Sequence, residues 1–401
     1  MRRGRGRIAS DPVRNRDNPL RDAAAIVGIG QTEFAKEIDR PEPQLAAEAV
    51  WAALQDAGID PAEVDGLSSF TMESTDEVTL AKTLGFGDIT YFSQVGYGGG
   101  AGCATIGHAA MAIATGQADV VVAWRSRKRG ARASRPWAVA PSRLPIQAQW
   151  TRPFGLLRPV DEVAMLARRY AYEYGAQREH LAEVAMAVRA HANRNPAALM
   201  YEKTMSLDDY MSARFISEPL CLFDNCLETD GALAAVLVSA ERARDCPHPP
   251  AVVHAFGQGL HRQHESMVNY YCDDPLTGPA WAAAEKLWAQ SELGPDDIQV
   301  AQIYDAFTPL ILLSLEGYGF CKRGEAPDFV ADGNLRWGSG SLPTNTSGGG
   351  LSEAYVHGFN LITEGVRQLR GTSTNQVAGA STCLVTAGEA VPTSAILLRR
   401  D

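Results

Sequence analysis

The chain has 401 residues, 45% of them apolar and 21% charged, with a formal net charge of −10. This is the balance of a globular protein with a sizeable core, long enough for one large or two ordinary domains, and its acidic excess argues against general nucleic-acid binding. Seven cysteines, an odd number with no CxxC pair, argue against a disulfide framework or a zinc site and predict reduced thiols in a cytoplasmic enzyme; no apolar run approaches the ~18 residues of a membrane span.

Residues 1–22 are Arg-rich but lack the apolar stretch of a secretory signal. They are expected to form a mobile basic tail, or else a contact for a partner or a CoA phosphate. The first strand is expected in "AAAIVGIGQTEF", which ends in Gly28 and Gly30; this GxG lacks the third glycine and the placed acid of a dinucleotide loop. "EPQLAAEAVWAALQDAGI" follows as a helix, with apolar positions 45, 49, 50, 53 and 54 on one face and Gly58 closing it. Next, "VGYGGGAGCATIGHAAMAIATGQADVVVAW" (95–124) reads as a Gly-rich loop, a helix and a buried strand. Its turn, Gly98-Gly99-Gly100, carries no side chain, and the nearest thiol, Cys103, lies a helical turn further on. His108 falls inside that helix, where packing is the ordinary role.

Residues 125–215 interrupt the pattern. They open basic and Pro-rich, with Arg125, Arg127, Arg129, Arg132 and Arg135, then continue as "PVDEVAMLARRYAYEYG" and "REHLAEVAMAVRAHANRNP", two helices. An inserted loop domain over a cleft is expected, its arginines either solvated or forked onto phosphates. The early pattern then returns. "AAEAVWAALQDAGIDPAEVDGL" (46–67) is echoed by "AAEKLWAQSELGPDDIQVAQI" (283–303), and the glycine loop by "NTSGGGLSEAYVHGFNLITEGV". Two similar α/β halves follow, 23–250 including the loop domain and 251–401. His261 and His264 in "HRQH" lack a third metal ligand and read as surface residues.

"AAIVGIGQTEF", the glycine loop at 95–107, "RRYAYEYG", "NRNPAA" at 193–198, "LCLFDNCLETDGALAAVLVSA" at 220–240, "IYDAFT" at 303–308 and "NTSGGGLSEAYVHG" at 345–358 together resemble the thiolase superfamily, in its sterol-carrier-protein-type branch. The resemblance covers about residues 23–401. It implies an α/β thiolase fold, with two βαβαβαββ halves in a five-layered αβαβα core, and a homodimer. The departures are chemical. Where such thiolases carry the nucleophilic cysteine of "CSTGSTAL", the counterpart is Gly99. Where their second loop reads "NPSGGLISKGHPLG", the counterpart of the histidine is Tyr355. The "HDAF" or "NEAF" element reads Tyr304-Asp305-Ala306-Phe307. His357 lies two residues past Tyr355, where a helical twist would aim it elsewhere, and Cys383 falls roughly where many thiolases place a second cysteine.

A thiolase needs a thiolate, and Gly99 cannot attack anything. A phenol can donate to an oxyanion or accept a proton, so Tyr304 and Tyr355 suit a retro-aldol cleavage of a β-hydroxyacyl-CoA. One base takes the hydroxyl proton, the Cα–Cβ bond breaks, a thioester enolate leaves, and an acid protonates it. Backbone N–H groups at the glycine loops (Gly99, Gly100, Gly348, Gly349) would stabilise the enolate. Asp305 is expected to anchor its loop, with His357 and Cys383 as supporting candidates; the family's histidine places Tyr355 near the Cα. This combination resembles the lipid-transfer-protein aldolases of bacterial steroid side-chain degradation. That resemblance implies cleavage of a 17-hydroxy-3-oxo-pregnene-20-carboxyl-CoA thioester to a 17-ketosteroid (androstenedione) and propionyl-CoA, without metal or further cofactor. It also implies a small OB-fold, zinc-ribbon-type partner or a hydratase subunit. The alternatives are a thiolase or acyltransferase using Cys103 or Cys383, and a non-catalytic acyl-CoA or lipid-binding homologue.

Overall fold

The computed structural model describes residues 18–129, 146–263 and 272–401. The first half runs β1 (Ala24–Gln31), α1 (Glu42–Ala57), β2 (Gly66–Phe70), α2 (Glu77–Leu84), β3 (Tyr91–Val95), α3 (Gly102–Ala114) and β4 (Val120–Arg127). The inserted segment carries α4 (Ile146–Thr151), α5 (Pro159–Tyr174), α6 (Arg178–Ala192), α7 (Leu207–Ser212) and a hairpin of β5 (Phe215–Ser217) and β6 (Leu220–Cys221). The first half closes with β7 (Gly231–Ser239) and the short α8 (Ala240–Ala243). The second half is β8 (Ala251–Gly259), α9 (Pro279–Trp288), β9 (Val300–Gln302), α10 (Thr308–Gly317), α11 (Ala326–Ala331), α12 (Phe359–Arg370), β10 (Thr382–Ala387) and β11 (Thr393–Arg400).

Apart from the β5–β6 hairpin, the described strands form one sheet in the order β3-β2-β4-β7-β1-β8-β11-β10-β9. Read outward from the middle, β1, β7, β4 and β2 mirror β8, β11, β10 and β9, so the duplication read from the repeated segments is a structural one. The two halves join through a short seam, Ala25 opposite Val252 and Ile26 opposite Ala251. Helix α1 covers β1, β7 and β4 on one outside, and α9 covers β8 and β11 on the other. Helices α3 and α12 touch strands of both halves and each other, which makes them the middle of five layers, αβαβα.

The GxG of β1 has a packing purpose. A Cβ on Gly28 would lie 2.1 Å from the carbonyl oxygen of Ala53, and one on Gly30 the same distance from that of Ala49, so bare glycines let α1 lie directly on the strand. The second half repeats the device: a Cβ on Gly257 or Gly259 would strike the α9 carbonyls of Ala283 or Pro279. Leu45, Ala49, Val50, Ala53 and Leu54 are all buried on this contact, and Gly58 ends α1 at φ 66°. Burying each of the larger side chains contributes roughly 1.5–3 kcal/mol.

Two expectations need correction. The second half is not a full βαβαβαββ unit: among the described residues, the partner expected for β3 is reduced to a single parallel bridge between Ala301 and Thr344. Asn345, at φ 55°, turns the chain away at once, so no strand can extend. Residues 18–22, read as part of a basic tail, are packed in place. Leu20 is buried, and Asp22 accepts hydrogen bonds from Arg399 and pairs with His254 at 2.9 Å. Residues 1–17 lie outside the described part. Among the described residues no helix is long and apolar enough to cross a membrane.

Candidate active site

Tyr304 leaves the end of β9, held by its N–H to the Thr386 hydroxyl of β10 at 3.0 Å. Two neighbouring groups bind the second glycine loop to this strand end. Asn345 exchanges hydrogen bonds with the Ile303 backbone at 2.7 and 2.8 Å. Asp305 accepts from the N–H groups of Gly350 and Leu351 at 2.7 and 3.2 Å. Asp305 thus ties the loop to the strand end, and burial pushes its carboxyl up to about 6 against those donors. Gly348 and Gly349 make the tight turn at φ 113° and 53°; a Cβ on Gly349 would lie 2.2 Å from Asp305. The clamp carries Tyr355 across the site, where the Tyr304 and Tyr355 hydroxyls meet at 2.5 Å.

The first glycine loop faces this pair. A Cβ on Gly99 would lie 1.8 Å from the Tyr304 hydroxyl oxygen, and one on Gly100 1.8 Å from the carbonyl oxygen of Pro392. The Tyr304 phenol thus occupies the volume that a nucleophile on Gly99 would need.

His357 is nearer than expected. The chain from Tyr355 to Gly358 is not helical, and His357 takes φ 53°, so its ring lies edge-on to Tyr355 at 5.6 Å. Arg125 donates from Nε to His357 Nδ1 at 3.2 Å, which leaves the ring proton on Nε2. Burial, with Arg127, Arg125 and Arg129 adding to it, holds this imidazole well below the usual histidine range, so it is neutral. Arg125 in turn pairs with Glu73 at 2.9 Å, both side chains buried.

Arg125 and Arg127 were expected in a basic loop. They instead end β4, 1% and 3% exposed, because Glu73 neutralises the first inside the protein. Arg132 and Arg135 lie outside the described residues. Sequence reasoning missed Glu73 altogether, and it took Arg125 and Arg127 for loop residues, solvated or forked onto phosphates, rather than for residues beside the phenols. The available signal was the Arg-x-Arg spacing at the end of "VVVAWRSR", which puts both on one face of a strand.

The two candidate thiols are elsewhere. Cys103 donates to the carbonyl of Val385 at 3.3 Å, and Cys383 lies inside β10 with its sulfur 3.2 Å from where a Cβ on Gly365 of α12 would stand. Burial pushes both thiols up. Strand β10 reaches the glycine loop four residues later, at Ala387 beside Gly102. His108 pairs with Gln258 at 3.1 Å and packs on Phe256. His261 contacts Cys272, and His264 lies outside the described residues. Among the described residues no group of three His, Cys, Asp or Glu could hold a metal ion.

A cavity of about 920 Å³ lies beneath the inserted segment, with Cys226, Phe307 and Leu351 on its lining. Lys36, Arg158, Arg189, Lys203 and Arg214 also line it, against Asp209 and Glu228. Through its backbone Cys226 donates to Ala306, and Leu227 to Gly350, which ties this lining to the segments that carry Tyr304 and Tyr355.

A duplicated five-layered core with two glycine loops meeting at one site defines the thiolase fold. The chain belongs to the thiolase family: its N-terminal domain model matches residues 24–241 and the thiolase C-terminal domain-like model residues 260–398. It is 49% identical to the steroid side-chain-cleaving aldolase of Thermomonospora curvata, over 95% of this chain and 99% of that one. It is also 49% identical to the 17-hydroxy-3-oxo-4-pregnene-20-carboxyl-CoA lyase of Mycobacterium tuberculosis, over 94% and 100%. The solved Ltp2-ChsH2(DUF35) aldolase superposes with a TM-score of 0.91 at 49% identity, over 95% and 99% of the two chains.

Proposed function

We propose that the chain is a carbon–carbon lyase that cleaves a bulky β-hydroxyacyl-CoA thioester by a retro-aldol reaction, with Tyr304 and Tyr355 as its proton-transfer groups. The observation that carries this reading is the Tyr304 hydroxyl standing in the volume of a side chain on Gly99, 2.5 Å from the Tyr355 hydroxyl. A phenol pair there moves protons and cannot hold an acyl group, which suits bond cleavage driven by the leaving enolate. Tyr304, standing at the nucleophile's place, faces the β-carbon and its hydroxyl; Tyr355 faces the Cα. The Gly98–Ala101 turn that leads into α3 stabilises the enolate oxygen, as a helix N-terminus favours negative charge, although the Gly100 N–H itself is held by the Tyr97 carbonyl at 3.1 Å. The reaction so drawn uses proton transfers alone and calls for no metal or further cofactor.

The substrate follows from the relatives' names: a 17-hydroxy-3-oxo-pregnene-20-carboxyl-CoA, split into a 17-ketosteroid and propionyl-CoA. The five cationic side chains of the cavity suit the phosphates of the CoA moiety. A small partner protein is proposed on the pairing in the name of the Ltp2-ChsH2(DUF35) aldolase. A homodimer is proposed on β3, an edge strand of the sheet with Phe92 71% exposed, which a second copy would cover. The test is turnover of the steroid thioester by the chain with a DUF35-type partner. Equal yields of ketone and shortened acyl-CoA are expected, and unchanged thioester would count against the reading.

A further inference from the structure

Arg127 ends β4 with its guanidinium over the ring face of Tyr355, Cζ 5.4 Å from the ring centre. It is buried, and its Nε and Nη1 have no hydrogen-bond partner among the described residues. Arg125, two residues earlier on the same strand face, has Glu73 as its counter-ion, whereas Arg127 has no carboxylate within ion-pair distance among the described residues. A desolvated cation with idle donors is unfavourable unless an anion forms beside it. Glu42 feels Arg127 electrostatically without forming an ion pair with it, and the group lying against the guanidinium that can become an anion is the Tyr355 phenol.

We propose that Arg127 is a positioning residue that supplies the counter-charge for a singly protonated, anionic Tyr304–Tyr355 pair. This rests on the reading of that pair as the proton-transfer machinery. The groups that act on Tyr355 are Tyr304 from the end of β9, Arg127 and Arg129 from β4 and the residues after it, Cys226 from the segment before β7, and His357 from its own loop. His357 is neutral and Cys226, its thiol raised, works against the arginines; the charged groups are the arginines themselves, with Glu228 acting on Arg129 and Cys226 and Glu42 interacting with Arg127. Burial pushes both phenols up, and both stay raised: Cys226 adds to the rise at Tyr355, which Arg127, the hydrogen bond from Tyr304 and Arg129 only partly offset, while Tyr355 drives Tyr304 further up. A proton lost from the pair is therefore lost from Tyr355, and Tyr304 keeps its own.

A pair in this state balances the reaction. The β-hydroxyl proton passes to Tyr304 as the proton of Tyr304 crosses the 2.5 Å contact to Tyr355. The Cα–Cβ electrons move onto the thioester as an enolate, and the β-carbon becomes a ketone. Tyr355 then gives its proton to the Cα. The pair ends as it began, with one proton, and nothing is oxidised or reduced.

The test is the pH profile of kcat/KM for the wild type, Arg127→Gln, Arg127→Lys and Tyr355→Phe, all with the partner protein present. The wild type should gain activity with pH as the pair loses its first proton. Removing the cation should move that limb up by about one pH unit or more and lower kcat at least tenfold, with KM within about threefold. Arg127→Lys should restore most of the limb. If Arg127→Gln is too slow to profile, the ultraviolet titration of tyrosinate in the folded protein, with Tyr355→Phe as reference, reads the same shift. An unmoved limb or an unmoved titration in Arg127→Gln would overturn the assignment. Full activity in Tyr355→Phe would instead overturn the reading of the pair itself.

Discussion

The Tyr304 hydroxyl and Gly99 share one volume: a Cβ on Gly99 would stand 1.8 Å from the phenolic oxygen. The missing nucleophile and the new proton donor are therefore one change, made from two distant parts of the chain. Gly99→Ala and Gly99→Cys should both displace Tyr304. At least a hundredfold loss of lyase turnover is expected, with about 1–3 kcal/mol of overpacking in urea melts. Gly99→Cys should show no acetyl-CoA-dependent exchange, which a standard acyl-exchange assay reads.

Cys103 and Cys383 pack between α3, β10 and α12, away from the phenols. Cys103→Ala and Cys383→Ala should keep lyase turnover within about twofold, with a stability loss of about 1 kcal/mol each. A large loss of kcat in either variant, at unchanged stability, would favour a thiol mechanism.

Glu73 is the carboxylate that permits Arg125 to be buried beside His357. Glu73→Gln leaves that guanidinium uncompensated, and breaking a buried pair from one side costs about 3–5 kcal/mol. A marked drop in melting temperature is expected, whereas Glu33→Gln, on a half-exposed pair with Arg40, should change it little.

Buried carboxyls with raised pKa values, Asp224 and Glu316 among them, set a pH dependence of stability. Burial pushes Glu389 up to about 8, Glu353 to about 7 and Asp305 to about 6. Each binds its proton more tightly folded than unfolded, so its contribution is present below about pH 4 and lost as pH rises through those values. Each group gives a slope of at most about −1.4 kcal/mol per pH unit within its window. Glu389→Gln should flatten the decline between about pH 5 and 8, measured by urea melts across that range.

Much of this was legible in the chain. The repeated helix and the two glycine loops predicted the duplicated core, and Tyr304 and Tyr355 stood out because they replace groups that the chemistry of a thiolase requires. The rest depended on distant partners. Nothing local shows that Glu73 lies against Arg125, so a charged strand end read as a loop, its arginines solvated or forked onto phosphates. The loss of the strand at Thr344 turns on the positive φ of Asn345, whose side chain is bound to Ile303. His357 was read through helical geometry that the loop does not have.

The most direct measurement is product analysis by mass spectrometry, with the steroid thioester given to the wild type, Tyr304→Phe and Tyr355→Phe, each with the partner protein. The wild type should release 17-ketosteroid and propionyl-CoA in equal amounts, and each variant should lose about 10²–10⁴-fold in turnover while folding normally. Equal turnover by all three, or loss of turnover only on blocking a cysteine, would contradict the tyrosine-pair mechanism.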